Sequence, residues 1–146
     1  MTVKQISIFV ENKPGQLREL TKLLEKNKID IRALSIAETE DFGVLRIIVD
    51  DSYKTVCVLK EADYICSVTK VLAVEIPDRP GALVKVLDIL GDSGINLEYT
   101  YAFITRKKNS AYMIFRVADN QKAIEVLNKN GVKPICQEEL SELFQD

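Results

Sequence analysis

The chain has 146 residues, 47% hydrophobic and 29% charged, with 20 Lys and Arg against 22 Asp and Glu. That is the make-up of a soluble globular protein of one ordinary domain or two small ones. A net charge of −2 and a pI near 5.3 offer no basic stripe for nucleic acid, and no apolar run approaches the roughly 18 residues a membrane span needs.

No histidine is present, which removes the commonest general base and metal ligand. Ser-His-Asp and Cys-His sites cannot be built, and most catalytic zinc sites are excluded. No cofactor or metal is expected. The opening MTVKQISIFVENK lacks the continuous apolar core of a signal peptide, so a cytoplasmic protein is expected. Cys57, Cys66 and Cys136 form an odd count without CxxC spacing and read as buried thiols in a reducing compartment.

In chain order, Val3 to Glu11 alternates, with Ile6, Ile8 and Val10 pointing one way, as a half-buried strand does. NKPG turns the chain, and Leu17, Leu20, Leu23 and Leu24 then form one helical stripe. Ile29 to Thr39 and Val44 to Val49 read as a hairpin about EDFG. Asp51-Ser52 caps a second helix carrying Tyr53, Val56, Cys57 and Leu59, and Tyr64 to Val68 is a fourth strand. The order strand, helix, strand, strand, helix, strand then repeats. Val71 to Pro77 is a strand and DRPG a turn; Leu83, Val86, Leu87 and Leu90 mark a helix. Ile95 to about Thr105 and Ala111 to Val117 flank the RKKN turn. Asp119 caps a helix with Ala123, Ile124 and Leu127, Lys133 to Gln137 is a last short strand, and EELSELFQ an extra helical turn.

The flanks repeat as well as the elements. Pro14-Gly15 and Pro80-Gly81 lie 66 residues apart, as do Ile29-Asp30-Ile31 and Ile95-Asn96-Leu97. Ile65-Cys66 and Ile135-Cys136 close the units at a spacing of 70, as if a few residues were gained in the second hairpin. The chain thus reads as a duplicated βαββαβ unit, residues 1–70 and 71–146. Each unit is an α+β, ferredoxin-like antiparallel sheet with both helices on one face.

NKPGQL and DRPGAL after a strand, with IDI and INL opening the next, resemble ACT domains, and the resemblance covers both halves. It implies two units side by side in an eight-stranded antiparallel sheet, and a non-enzymatic protein that binds a small amino acid between units and signals to a partner enzyme or regulator. A homodimer is compatible with it. The ligand positions it implies are Asn12 and Asp78 before x-Pro-Gly, and Asp30 and Asn96 at the second strand. Pro14, Gly15, Gln16 and Leu17, and Gly81, Ala82 and Leu83, complete the two helix starts.

The chemistry of those positions suits an amino acid. A carboxylate is held by backbone N–H groups at the positive end of a helix. Gly15 and Gly81 let a ligand approach the main chain, and Pro14 and Pro80 stiffen the loop. Asn12 or Asp78 can accept from an ammonium, and Asn96 can both donate and accept. Were each loop to face the other unit's second strand, Asn12 would meet Asn96 and Asp78 would meet Asp30. Tyr99, in the run Tyr99, Tyr101, Phe103, is a candidate wall for the ligand's side chain. The plainer readings are that Asn12 and Asp78 only cap helices, that the aromatics pack on the sheet, and that Arg79 and Arg106-Lys107-Lys108 are solvated. A ligand-free protein-interaction module is the second reading, and an acylphosphatase-like hydrolase, for which the phosphate-cradling loop is lacking, the third.

Overall fold

The computed structural model describes residues 1–144. The chain divides into two compact units, a first of Lys4–Thr69 and a second of Met1–Val3 with Lys70–Asp146.

The first unit contains β1 (Val3–Glu11), α1 (Gln16–Lys26), β2 (Ile31–Glu38), β3 (Phe42–Val49), α2 (Ser52–Glu61) and the start of β4 (Cys66–Pro77). β1 pairs antiparallel with β3, Ile8 opposite Leu45, and β3 pairs antiparallel with β2, Leu45 opposite Ile36. On the other side of β1, the Phe9 N–H donates to the Ile65 carbonyl at 3.0 Å. The two-residue period of a strand puts Ile6, Ile8, Val10, Leu45 and Ile47 on one face. Leu20 and Leu24 of α1 and Leu59 of α2 share one buried cluster with that face, so both helices cover the same side.

The second unit contains the rest of β4, α3 (Ala82–Asp92), β5 (Leu97–Phe103), β6 (Ser110–Val117), α4 (Asn120–Lys129) and α5 (Gln137–Glu142). β4 pairs antiparallel with β6, and β6 with β5. Leu72, Val74, Ile76, Phe115 and Val117 form the core face against Val86 and Leu90 of α3 and Ala123 and Leu127 of α4.

The two units repeat each other closely. A bulge lies between Ile31 and Ala33 in β2 and between Leu97 and Tyr99 in β5, again 66 residues on. The side chains of Asp51 and Asp119, 68 residues apart, cap α2 and α4 by accepting from the N–H of Lys54 and Lys122. After those helices, Tyr64 N–H donates to Leu59 O and Val132 N–H to Leu127 O, each at 2.9 Å. The spacing changes from 66 to 68 between β5 and β6, which places a two-residue gain in their connecting turn.

Three expectations are corrected. The described residues form six strands, not eight. The two strands expected around Val68 and Val71 are one, β4, and the last expected strand, Lys133 to Gln137, is reduced to an Ile135 N–H to Ala73 O bond at 2.9 Å. The structural spacing of 68 sets Pro134, not Cys136, at the place of Cys66, and proline has no N–H to give a ladder. The cysteines are free thiols but not buried: Cys57 is exposed and Cys66 and Cys136 are half-buried. On α2 the inward residues are Thr55 and Leu59, so Cys57, two residues from each, turns outward with Tyr53. Among the described residues, no helix is long and apolar enough to cross a membrane.

Candidate functional site

The two Pro-Gly loops have the same backbone. Gly15 has φ 83° and Gly81 φ 84°, each the residue before its helix, and among the described residues no side chain caps α1 or α3. Left-handed φ costs an L-residue energy and suits glycine. The contrast with α2 and α4, each capped by an aspartate, is chemical. A capping carboxylate or hydroxyl would occupy the first-turn amides. At α1 and α3 no side chain takes that place; the Gln16 and Ala82 N–H groups donate to Lys13 O and Arg79 O at 3.3 Å, and the other first-turn amides lie at the positive end of the helix.

Asn12 does not cap α1. Its Nδ2 donates to the carbonyls of Thr39 at 3.2 Å and Glu40 at 3.4 Å, and its N–H donates to Asp41 O at 3.0 Å. The side chain therefore ties the loop to the β2–β3 turn and keeps its carbonyl oxygen as the group an ammonium can approach. Beside it, Lys13 Nζ lies 2.7 Å from Glu11 Oε2. The hydrogen bond to Glu11 raises the Lys13 ammonium above its ordinary range.

A cleft of about 140 Å³ opens here, lined by Asn12, Gln16 and Leu17 with Lys13, Ile36, Glu38 and Gly43. This is below the roughly 300 Å³ at which small-molecule pockets ordinarily begin, so the cleft by itself has room only for a small group. Sequence reasoning found Asn12, Gln16 and Leu17 but not Ile36, Glu38 or Gly43. Those come from the register, which sets Glu38 opposite Gly43 and Ile36 opposite Leu45.

The other predicted residues are placed less uniformly. Pro14 opens the turn before Gly15, as Pro80 does before Gly81. Asp30 is exposed just before β2; its Oδ2 accepts from Arg32 Nη1 at 3.3 Å, and its N–H donates to Asp50 Oδ1 at 3.0 Å. Asp78 is exposed and its N–H donates to Asn109 O at 3.1 Å. Asn96 is exposed one residue before β5. Ala82 and Leu83 open α3 and pack against its core. Tyr99 pairs with Arg116, next to Thr100, which stands opposite the core residue Phe115, so it lies on the sheet face away from α3 and α4. There it stacks on Tyr101 with centroids 6.4 Å apart.

The same face carries a polar cluster that sequence reasoning missed. Glu75 Oε1 accepts from Lys107 Nζ at 2.6 Å and Ser110 Oγ at 2.6 Å, and Oε2 accepts from Tyr112 OH at 3.1 Å. The Lys107 hydrogen bond leads in holding Glu75 below the usual carboxylate range, while burial leads in raising Tyr112. Lys107, expected as a solvated hairpin tip, is thus tied to β4. No group of three or more His, Cys, Asp and Glu among the described residues could hold a metal ion.

A family model described as an ACT domain pair matches residues 1–144. A crystallised protein from Bacteroides thetaiotaomicron is 41% identical, each chain covering 98% of the other, with a TM-score of 0.89. The ligand-free regulatory subunit of aspartate kinase from Thermus thermophilus is 14% identical, with 86% of this chain and 90% of that one covered and a TM-score of 0.61. Aspartate kinase from Synechocystis is 20% identical over 91% of this chain and 26% of its own, with a TM-score of 0.57. The last two are similar in fold. No curated protein matches the chain.

Proposed function

Because the chain belongs to the ACT domain pair family, whose fold is a regulatory one, we propose that it is a non-enzymatic amino-acid sensor. A small amino acid binds at a Pro-Gly helix start, with a second strand of another ACT unit completing the site, and the bound state is read by a partner enzyme or regulator in the cytoplasm. The observation that carries this reading is the contrast in capping: the two helices after Pro-Gly present uncapped first turns behind a left-handed glycine, and the other two repeat helices are closed by aspartates.

In the first unit's loop the ligand carboxylate takes the amides of the first turn of α1, and its ammonium takes the Asn12 carbonyl oxygen; in the second unit Asn96 is the amide offered at the second strand. Asp78 and Asp30 are the acidic counterparts and favour a cationic side chain over an α-carboxylate. The 140 Å³ cleft favours a short side chain. The fold shared with the regulatory subunit of Thermus thermophilus aspartate kinase supports a partner whose activity depends on which state the sensor adopts. Signalling then requires different ligand affinities in the two states.

A thermal-shift screen of the twenty amino acids tests the reading. One or a few should raise the melting temperature in a concentration-dependent way, and Asn12→Ala should abolish the rise. A flat screen refutes it. The second reading, a ligand-free interaction module, draws on the apolar side chains that the first unit exposes, among them Phe9, Phe42 and Ile65 at 51%, 56% and 70%. A flat screen with retained partner capture favours that module.

A further inference from the structure

We propose that the second unit carries a separate site for a small anion of the carboxylate or phosphate class, in the cavity between β4, α3 and the segment after α4, with Lys85 and Lys133 as the binding cations. The cavity measures about 440 Å³ and is lined by Lys85 and Lys133, by Glu75 and Ser110, and by Ala82 and Gly131 at its ends. Its volume falls within the range of pockets that hold small molecules. Of the expected loop residues it touches Ala82 but not Asp78 or Asn96.

The duplication supplies an internal control. The matching cavity of the first unit, about 270 Å³, is lined by Phe9, Glu11, Gln16, Phe42, Asp63 and Ile65 among others. Position by position, Glu11 becomes Pro77, Asp63 becomes Gly131 and Ile65 becomes Lys133, while Glu19, which does not line the first cavity, becomes Lys85. Asp63 and Gly131 both hold a left-handed φ, 63° and 74°, so the backbone is kept while the charge is removed. Only Phe9 to Glu75 runs the other way. The lining moves from two acids and no base to two bases and one acid.

Glu75 does not cancel the two lysines. Its carboxylate is already bound by Lys107, Ser110 and Tyr112, and its counter-charge, Lys107, does not line the cavity. Lys133 meets Glu139 at 3.4 Å with 67% of its side chain exposed. An exposed pair of that kind is weak and yields to an anion that both lysines reach. The site does not depend on the amino-acid reading above.

The test is an NMR titration of the full chain at fixed ionic strength with succinate, with inorganic phosphate and with neutral succinamide. Saturable shifts of the Ala82, Lys85, Ser110 and Lys133 amides are expected with at least one anion, and which anion does so tells the two sources apart. In Lys85→Glu and Lys133→Glu, both exposed and therefore tolerated by the fold, the affinity should fall about tenfold or more. In Asn12→Ala it should be unchanged. Unsaturable shifts with both anions, equal shifts with succinamide, or shifts that survive both charge reversals overturn the proposal. So do shifts that centre on Gly15–Arg18 and vanish in Asn12→Ala.

Discussion

Replacing Gly81 by alanine isolates the cost of the left-handed turn before α3. A β-carbon built on Gly81 has no atom within 4 Å, so crowding contributes nothing, and the whole effect is the energy of holding an L-residue at φ 84°. That is about 1–2 kcal/mol. With a urea slope of about 2 kcal/mol/M, the unfolding midpoint should fall by roughly 0.5–1 M at constant slope. At Gly15 the added carbon would meet Arg18 Nη2 at 3.2 Å, the far end of a flexible side chain that can swing aside. Gly15→Ala should therefore cost nearly the same. Asparagine, which tolerates the left-handed region better, should cost less than alanine at both positions. Urea denaturation of the four variants, followed by circular dichroism, decides the matter. An alanine variant as stable as the parent, or one whose loss exceeds that of the asparagine variant by nothing, refutes the claim that positive φ fixes these loops.

Asp51→Ala and Asp119→Ala should each lose about 0.5–2 kcal/mol in thermal or urea unfolding, because each carboxylate caps an otherwise orphaned amide. Leu59→Ala and Leu127→Ala, both fully buried in their cores, should each lose about 2–5 kcal/mol, and equal losses would mark the two helices as equivalent. The carboxyl of Glu75 is held low by Lys107 and Ser110, so it contributes stability that is present above the unfolded carboxylate pKa of about 4.3 and lost as pH falls through its lower folded value. Glu75→Gln should thus be less stable than the parent at neutral pH, and the gap should close below about pH 4; a gap independent of pH excludes the ion pair as its cause.

Most of the fold was legible because two independent periodicities agreed. Leu17, Leu20 and Leu24 kept a helical spacing and Ile6, Ile8 and Val10 a strand spacing, and the Pro-Gly repeat doubled the signal. What failed was local and has local causes. Pro134 removed the donor that a final strand needs, and without a turn signal between Val68 and Val71 two strands ran on as β4. Cys57 read as buried from its thiol and the lack of CxxC spacing, but the inward positions of α2 are Thr55 and Leu59. At the site, Asn12, Gln16 and Leu17 were readable from the loop itself. Glu38 and Gly43 were not, since they reach the cleft through strand register, which no short motif encodes. The helix starts carry no capping side chain, although Asn12 and Asp78 are residue types that cap; the left-handed glycine displaces them from the cap position.

Amide chemical-shift mapping with the amino acid that most raises the melting temperature tests amino-acid sensing most directly. Binding should move the N–H resonances of Gly15, Gln16, Leu17 and Arg18 and the side-chain amide of Asn12, and charge-free analogues lacking the carboxylate should leave them in place. Shifts confined to residues away from both Pro-Gly loops, or no shift with any amino acid, would contradict it.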